Sequence, residues 1–413
     1  MASQASGRGE ALVASGERIG FGPQWLARML SGGAGRLIER VDAALETGRI
    51  DLTLPDGSRR RLGGRAPGFQ ADMTIHDWRA LLRMAIGGSI GCYQGWEAGE
   101  WSSPDPVQFF ALIMANGEAL GDIGRSRGPW RWVGRLAHWL HRNTRAGSER
   151  NIHAHYDLGN DFYAAWLDPS MAYSSARFGS GATTLEAAQR AKLDSLAERI
   201  AGAGTVLEIG CGWGALSARL RDGGARVTAI SLSDAQLAWA RERHSGIDFR
   251  HQDYRDVTGQ FDAVVSCEMV EAVGREYWPA FFDCLERCLR PGGKAALQYI
   301  LMRESLFPAY ARSADFIQAY VFPGGLLVSE AEFRKLAAER GLEWTKEAAF
   351  GLDYAETLRL WRENFDRVVA EGRLPPGFDD RFVRLWRFYL MYCEGGFRGG
   401  GIDVAQVTLV KRA

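Results

Sequence analysis

From about residue 200 onward the chain switches between two hydrophobic periods. Short β-branched apolar runs, "TVLEI", "RVTAI", "FDAVV" and "KAALQYI", are separated by stretches with helical spacing such as "SDAQLAWARERH" and "EYWPAFFDCLERCLR". Strands that are apolar throughout, alternating with helices, predict an α/β fold: a parallel sheet with helices on both faces. The earlier region is patterned differently. "RIDLTLPDGSRRRLGG" predicts a hairpin turning at Pro55, Asp56 and Gly57. "TIHDWRALLRMAIGG" predicts a helix capped by Thr74 and ended at Gly87 and Gly88, and "VQFFALIMANG" predicts a second apolar helix. Together these make a smaller α+β domain.

The pattern divides the chain into four parts. Residues 1–25 are rich in glycine, serine and alanine and read as a mobile tail. Residues 26–124 form the small α+β domain, 125–150 a basic linker, and 151–413 the α/β domain. The linker, "RSRGPWRWVGRLAHWLHRNTRAGSER", carries seven arginines against one acid, with Trp130, Trp132 and Trp139 interleaved. Arginine anchors phosphate and tryptophan settles at a headgroup boundary, which fits an anionic lipid surface. A charged helix packing its tryptophans on the next domain fits equally well.

Charge narrows the partners. Lysine plus arginine equals aspartate plus glutamate, 50 against 50, so no global basic field recruits nucleic acid. The first residues lack the apolar run of a secretory signal, and no window approaches the roughly 20 apolar residues of a membrane span. Any membrane contact is therefore expected to be peripheral, from the cytoplasmic side. The six cysteines read as reduced thiols. Cys284 and Cys288 share a helix face without a histidine pair of ligand spacing, so no metal is expected there.

The candidate chemistry begins at "VLEIGCGWG", after the first strand of the parallel sheet. Gly210, Gly212 and Gly214 allow a tight turn and close approach of a ligand. The spacing is G-x-G-x-G, and the second strand ends in Ser231, where a dinucleotide site would carry an acid for the ribose. An adenosine ligand without a pyrophosphate fits better. Asp253 can accept from an adenine amine, the Tyr254 ring can stack on the base, and Glu208 can attract a ligand ammonium. These groups suit S-adenosylmethionine.

At this point a specific resemblance enters. "HYDLGNDFYAAWLDPSMAYSSARF", "DFIQAYVFPGG", "FGLDYAETLRLW" and "RFYLMYCEGGFR", together with the glycine turn, resemble the cyclopropane-fatty-acyl-phospholipid synthases, S-adenosylmethionine-dependent methyltransferases. The resemblance implies a Rossmann-like class I methyltransferase sheet and methyl transfer to the cis double bond of an unsaturated phospholipid acyl chain. It implies that the small domain presents lipid and that the chains pair as a homodimer. Tyr173 and Ser174 match positions lining the cofactor, and Ser231 and Gln236 match positions near its ribose and methionine portions. The proton released after methyl transfer is implied to go to a bound bicarbonate, held at positions that here read Ser175, Glu271, Gln298, Ile300 and Tyr354. Tyr173, Phe178, Tyr299, Phe316, Tyr320 and Tyr354 could face a carbocation.

Three positions depart from the best-known members. Ser175 stands for a cysteine, Gln298 for a histidine and Ala272 for another histidine. Glutamine can hydrogen-bond an anion but cannot relay a proton at neutral pH. The product is thus open between a cyclopropane, a methylene and a methyl-branched chain. Removal of hydrogen from an already methylated chain and a non-catalytic lipid-binding role are the other readings.

Overall fold

The computed structural model describes residues 8–17, 31–121, 158–179 and 181–412. The basic linker at 125–150 lies outside them, as does most of the tail at 1–25. The chain divides into two compact units. One comprises Met1–His141, Ser305–Pro323 and Pro376–Ile402; the other comprises Arg142–Glu304, Gly324–Pro375 and Asp403–Ala413.

In the first unit a four-stranded sheet has the order β2-β1-β3-β4, where β1 is Arg49–Thr53, β2 Arg59–Gly63, β3 Gln70–Ile75 and β4 Trp101–Ser102. The hairpin β1–β2 is the one the alternation predicts. Ile50, Leu52, Ala71 and Met73 alternate with more exposed neighbours and bury one face of the sheet. Thr74 is not a helix cap. It pairs with Thr53 inside β3, and the helix begins later, at Arg79. Gly88 breaks that helix at φ 57°, ψ −131°, but helical geometry resumes and runs to Glu97.

Part of the tail is also ordered. Glu10–Glu17 is helical and buries Leu12 and Val13. The helix Asp380–Arg398, expected within the α/β domain, belongs to this first unit. It packs on Pro106–Ala115 so closely that a Cβ on Gly395 would lie 2.3 Å from Phe110 Cβ, and one on Gly399 2.5 Å from the Ala111 carbonyl oxygen. Phe388 meets Tyr93, Phe110 and Phe316 at ring distances of 5.2, 5.2 and 4.7 Å. The sequence division failed here because an apolar helix face does not say which domain it covers.

In the second unit a seven-stranded sheet has the order β10-β11-β9-β8-β5-β6-β7. Its strands are β5 (Thr205–Ile209), β6 (Arg226–Ser231), β7 (Asp248–His251), β8 (Phe261–Cys267), β9 (Leu289–Met302), β10 (Leu342–Ala349) and β11 (Ile402–Lys411). β5 through β9 run parallel, and β10 and β11 are antiparallel. Leu193, Leu196, Leu216, Leu220 and Leu237 cover one face, over Val206, Val227, Ala263 and Val265. The helix Trp278–Cys288 packs on β8 and β9. The strand order reverses between β5 and β8, which opens a crevice at the carboxyl ends of the strands.

Candidate active site

The glycine turn lies at that crevice. After β5, the amides of Gly210 and Cys211 both donate to the Ile230 carbonyl at 3.0 Å, and Gly210, Gly212 and Gly214 have φ of 81°, 52° and 88°. A Cβ on Gly212 would find only Gln236 Nε2 nearby, at 3.9 Å. That amide nitrogen is buried and has no hydrogen-bond partner among the described residues. A buried donor without a partner is costly, and a ligand hydroxyl on this side of the turn would satisfy it.

The other expected cofactor residues of the sheet lie at or just beyond the carboxyl ends of β5, β6 and β7. Glu208 is buried at the end of β5 against Ser217 Oγ, and burial pushes its carboxyl up to about 7 despite that bond and the Lys192 charge. Ser231 Oγ accepts from the Ser233 amide, and Ser233 caps the next helix at Gln236. Asp253 caps a short 3-10 turn and pairs with the Arg255 guanidinium at 2.5 Å. The Tyr254 ring, expected on an adenine, is buried edge-on against Phe281 with centroids 5.9 Å apart.

The segment 158–178 supplies the roof. Tyr173 sits among Tyr163, Trp166 and Trp361 at 5.3, 5.8 and 5.3 Å. Ser174 Oγ accepts from Lys192 Nζ at 2.6 Å, and Cys267 Sγ lies 3.9 Å from the same ammonium. The turn and the ends of β8 and β9 adjoin: a Cβ on Gly210 would lie 2.6 Å from Met269 Cγ.

Three of the five expected catalytic positions, Ser175, Gln298 and Tyr354, converge on a residue the sequence reading passed over, while Ile300 meets Glu271. Glu268 Oε1 accepts from the Ser175 amide at 2.9 Å and from Gln298 Nε2 at 2.6 Å; Glu268 Oε2 accepts from the Tyr354 hydroxyl at 2.8 Å. Ser175 Oγ turns away to the Ala176 carbonyl, so only its backbone faces the site. Gln298 is held in orientation by Gln406 Nε2, which donates to its Oε1 at 2.9 Å. The Ile300 amide donates to Glu271 Oε1, while Glu271 Oε2 is buried without a partner among the described residues.

Glu268 has φ 50°, in the left-handed region. For a non-glycine residue this conformation costs on the order of 1–3 kcal/mol and persists only where the surroundings impose it. Its amide donates to the Gln298 carbonyl at 2.8 Å. Two features could have drawn attention to the missed residues. Glu268 is an acid at the ligand-facing end of β8, three residues before Glu271. Lys192 lies on the apolar stripe of the helix Leu185–Arg199 with Ala188, Leu193 and Leu196, where a solvated lysine has no place.

Of the six rings that could face a cation, Tyr173 and Tyr354 line this site. Tyr299 packs on Phe333 and Trp344, and the Phe178 amide donates to Asp353. Phe316 and Tyr320 belong to the first unit.

Burial raises both acids. The Glu268 carboxyl is raised by burial and held back by Gln298, the Ser175 amide, Lys192 and Tyr354. Glu271 is pushed up to about 8, first by burial and then by the Glu268 charge. A raised folded-state value means that the folded protein binds the extra proton between about 4.5 and about 8. Stability from this group is therefore fully present below that window and lost as pH rises through it. Glu271→Gln keeps an acceptor for the Ile300 amide but cannot ionise. We expect the melting temperature of the parent to fall more steeply than that of Glu271→Gln between pH 5 and 9. Parallel melting curves over that range would refute the assignment.

Against this geometry, the profile of the mycolic acid cyclopropane synthetases matches residues 143–407. The tuberculostearic acid methyltransferase UfaA1 of Mycobacterium tuberculosis is 39% identical over 92% of this chain and 91% of its own length. The cyclopropane-fatty-acyl-phospholipid synthase of Escherichia coli K12 is 32% identical over 84% of this chain and 89% of its own. Among solved structures, the mycolic acid cyclopropane synthase CmaA1 complexed with SAH and CTAB superposes with a TM-score of 0.59 at 28% identity, covering 64% of this chain and 98% of that one. The chain is a class I S-adenosylmethionine-dependent methyltransferase and belongs to the mycolic acid cyclopropane synthetase family.

Proposed function

We propose that the protein transfers the methyl group of S-adenosylmethionine to the cis double bond of an unsaturated acyl chain in a membrane phospholipid. The observation that carries this is an acid site built against the glycine turn: the half-buried Glu268 and Glu271, whose carboxyl groups accept from the Ser175 amide, Gln298, Tyr354 and the Ile300 amide, beside the segment at Tyr173–Ser175. When bound, S-adenosylmethionine supplies an electrophilic methyl on sulfur. Gln236, the Gly212 backbone, Tyr173, Ser174, Glu208, Ser231 and Asp253 are the residues that would hold it, and the unpartnered Gln236 amide fits a ribose hydroxyl.

An alkene is a weak nucleophile, so the chain must hold it in line with that methyl. Attack leaves a carbocation that water would trap, so the packed rings of Tyr163, Trp166, Tyr173 and Trp361 are assigned the role of shielding it. The product gains one carbon and two hydrogens as a ring, a methylene or a precursor of a methyl branch. Among the described residues no helix is long and apolar enough to cross a membrane. We place the enzyme peripherally on the cytoplasmic face, as a homodimer, with the first unit presenting lipid.

Incubation with methyl-labelled donor and phospholipid vesicles tests this reading. Label is expected in the acyl chains of monounsaturated lipid and not of saturated lipid. An absence of label in unsaturated chains would refute it.

A further inference from the structure

We propose that Glu268 is the proton acceptor of the reaction, in the place that the sequence resemblance gives to a bicarbonate. This rests on the methyl-transfer reading above. A small anion at that place needs the donors Ser175 N, Gln298 Nε2, Tyr354 Oη and Ile300 N. All four are directed at carboxylates of the chain itself, three at Glu268 and one at Glu271. A bicarbonate would have to take those bonds from Glu268 and then lie beside its carboxylate, where like charge opposes it. The residues present do not fit the free anion; they fit a resident carboxylate of the same planar shape.

The backbone points the same way. Glu268 is one of two non-glycine residues with positive φ among those described, and it holds that conformation where a glycine would be unstrained. A half-buried side chain retained against its backbone preference and gripped by three donors is a positioned group. Lys192, whose positive charge acts on Glu268, favours the ionised form.

The step balances as follows. After methyl transfer the acyl chain carries one positive charge. A Glu268 carboxylate oxygen forms an O–H bond with a proton of the transferred methyl. The C–H electron pair stays on carbon and becomes either the closing C–C bond of a ring or, after a hydride shift along the chain, a C=C bond. Cation and carboxylate become neutral product and neutral acid, and the acid returns its proton to water after product leaves.

The experiment uses the full-length enzyme, labelled donor and monounsaturated phospholipid vesicles, in buffer stripped of carbon dioxide and then with added bicarbonate. Parent turnover is expected to stay within about twofold across both conditions. Glu268→Gln is expected to lose about 10²-fold or more in kcat, the scale of a general base, with KM for the donor within about threefold. Glu268→Gly removes the carboxylate and relieves the backbone. It is expected to melt no lower than the parent, to be nearly inactive, and to regain turnover on addition of bicarbonate or formate, which would occupy the vacated donors. A residue that only braces the site would give a Gly variant that melts lower and gains nothing from the anion. A parent enzyme that needs bicarbonate, or a Glu268→Gln variant with near-parental turnover, overturns this assignment while leaving methyl transfer standing. A parent that labels no lipid overturns the methyl-transfer reading, and this assignment falls with it.

Discussion

Gly212→Val is expected to raise the dissociation constant for S-adenosylmethionine by about 10²-fold or more, in a protein that still folds. The three glycines of the turn are not equivalent. A Cβ on Gly210 would strike Met269, and one on Gly214 would come within 3.0 Å of the His244 and Phe249 rings. Those two glycines serve internal packing. Gly212 alone faces open space, with the unpartnered Gln236 amide at its edge. A valine there fills the ligand's approach, and its branched Cβ is strained at φ 52°. The strain should cost about 1–3 kcal/mol, and titration calorimetry beside a melting curve separates it from lost binding. Gly212→Ala is the milder control. Binding of Gly212→Val within about threefold of the parent would show that the ligand does not approach here.

The second large effect is expected at Lys192. Its ammonium is buried, donates to Ser174 Oγ at 2.6 Å, and offsets the burial of Glu208, Glu268 and Asp168. Lys192→Met keeps the length of the side chain and removes the charge. Uncompensated buried charge typically costs about 3–5 kcal/mol. With contacts to hydroxyl and thiol groups and no tight ion pair among the described residues, we expect roughly 3 kcal/mol. Without the cation, Glu208 and Glu268 bind protons more tightly still, so the deficit should widen as pH rises through about 7, where Glu208 ionises. Thermal melts of both proteins at several pH values check this. Equal melting temperatures would mean that the ammonium compensates nothing.

These residues also mark what could be read from sequence. The parallel sheet was legible because strands buried on both faces show as unbroken apolar runs, and the ligand turn because glycines at that spacing have few other uses. Ser175, Gln298 and Tyr354 were found through their motif positions, and the structure places all three on one carboxylate, with Ile300 on Glu271. What they grip was not visible. Nothing in "CEMVEAVG" distinguishes Glu268 from Glu271 until β8 and β9 set their directions, and the positive φ of Glu268 belongs to the folded backbone alone. The division between units was misread for a similar reason. The apolar stripe of Asp380–Arg398 shows that the helix is buried, while Gly395 and Gly399 select its partner through a close approach that only three dimensions reveal.

The most direct measurement of the central claim is the isotopic mass of the acyl chains after reaction with a donor whose methyl is trideuterated. Proton removal from the transferred methyl predicts chains heavier by one carbon and two deuteriums, with the third deuterium gone, in buffer free of bicarbonate. Chains of unchanged mass, or chains that keep all three deuteriums, would contradict it.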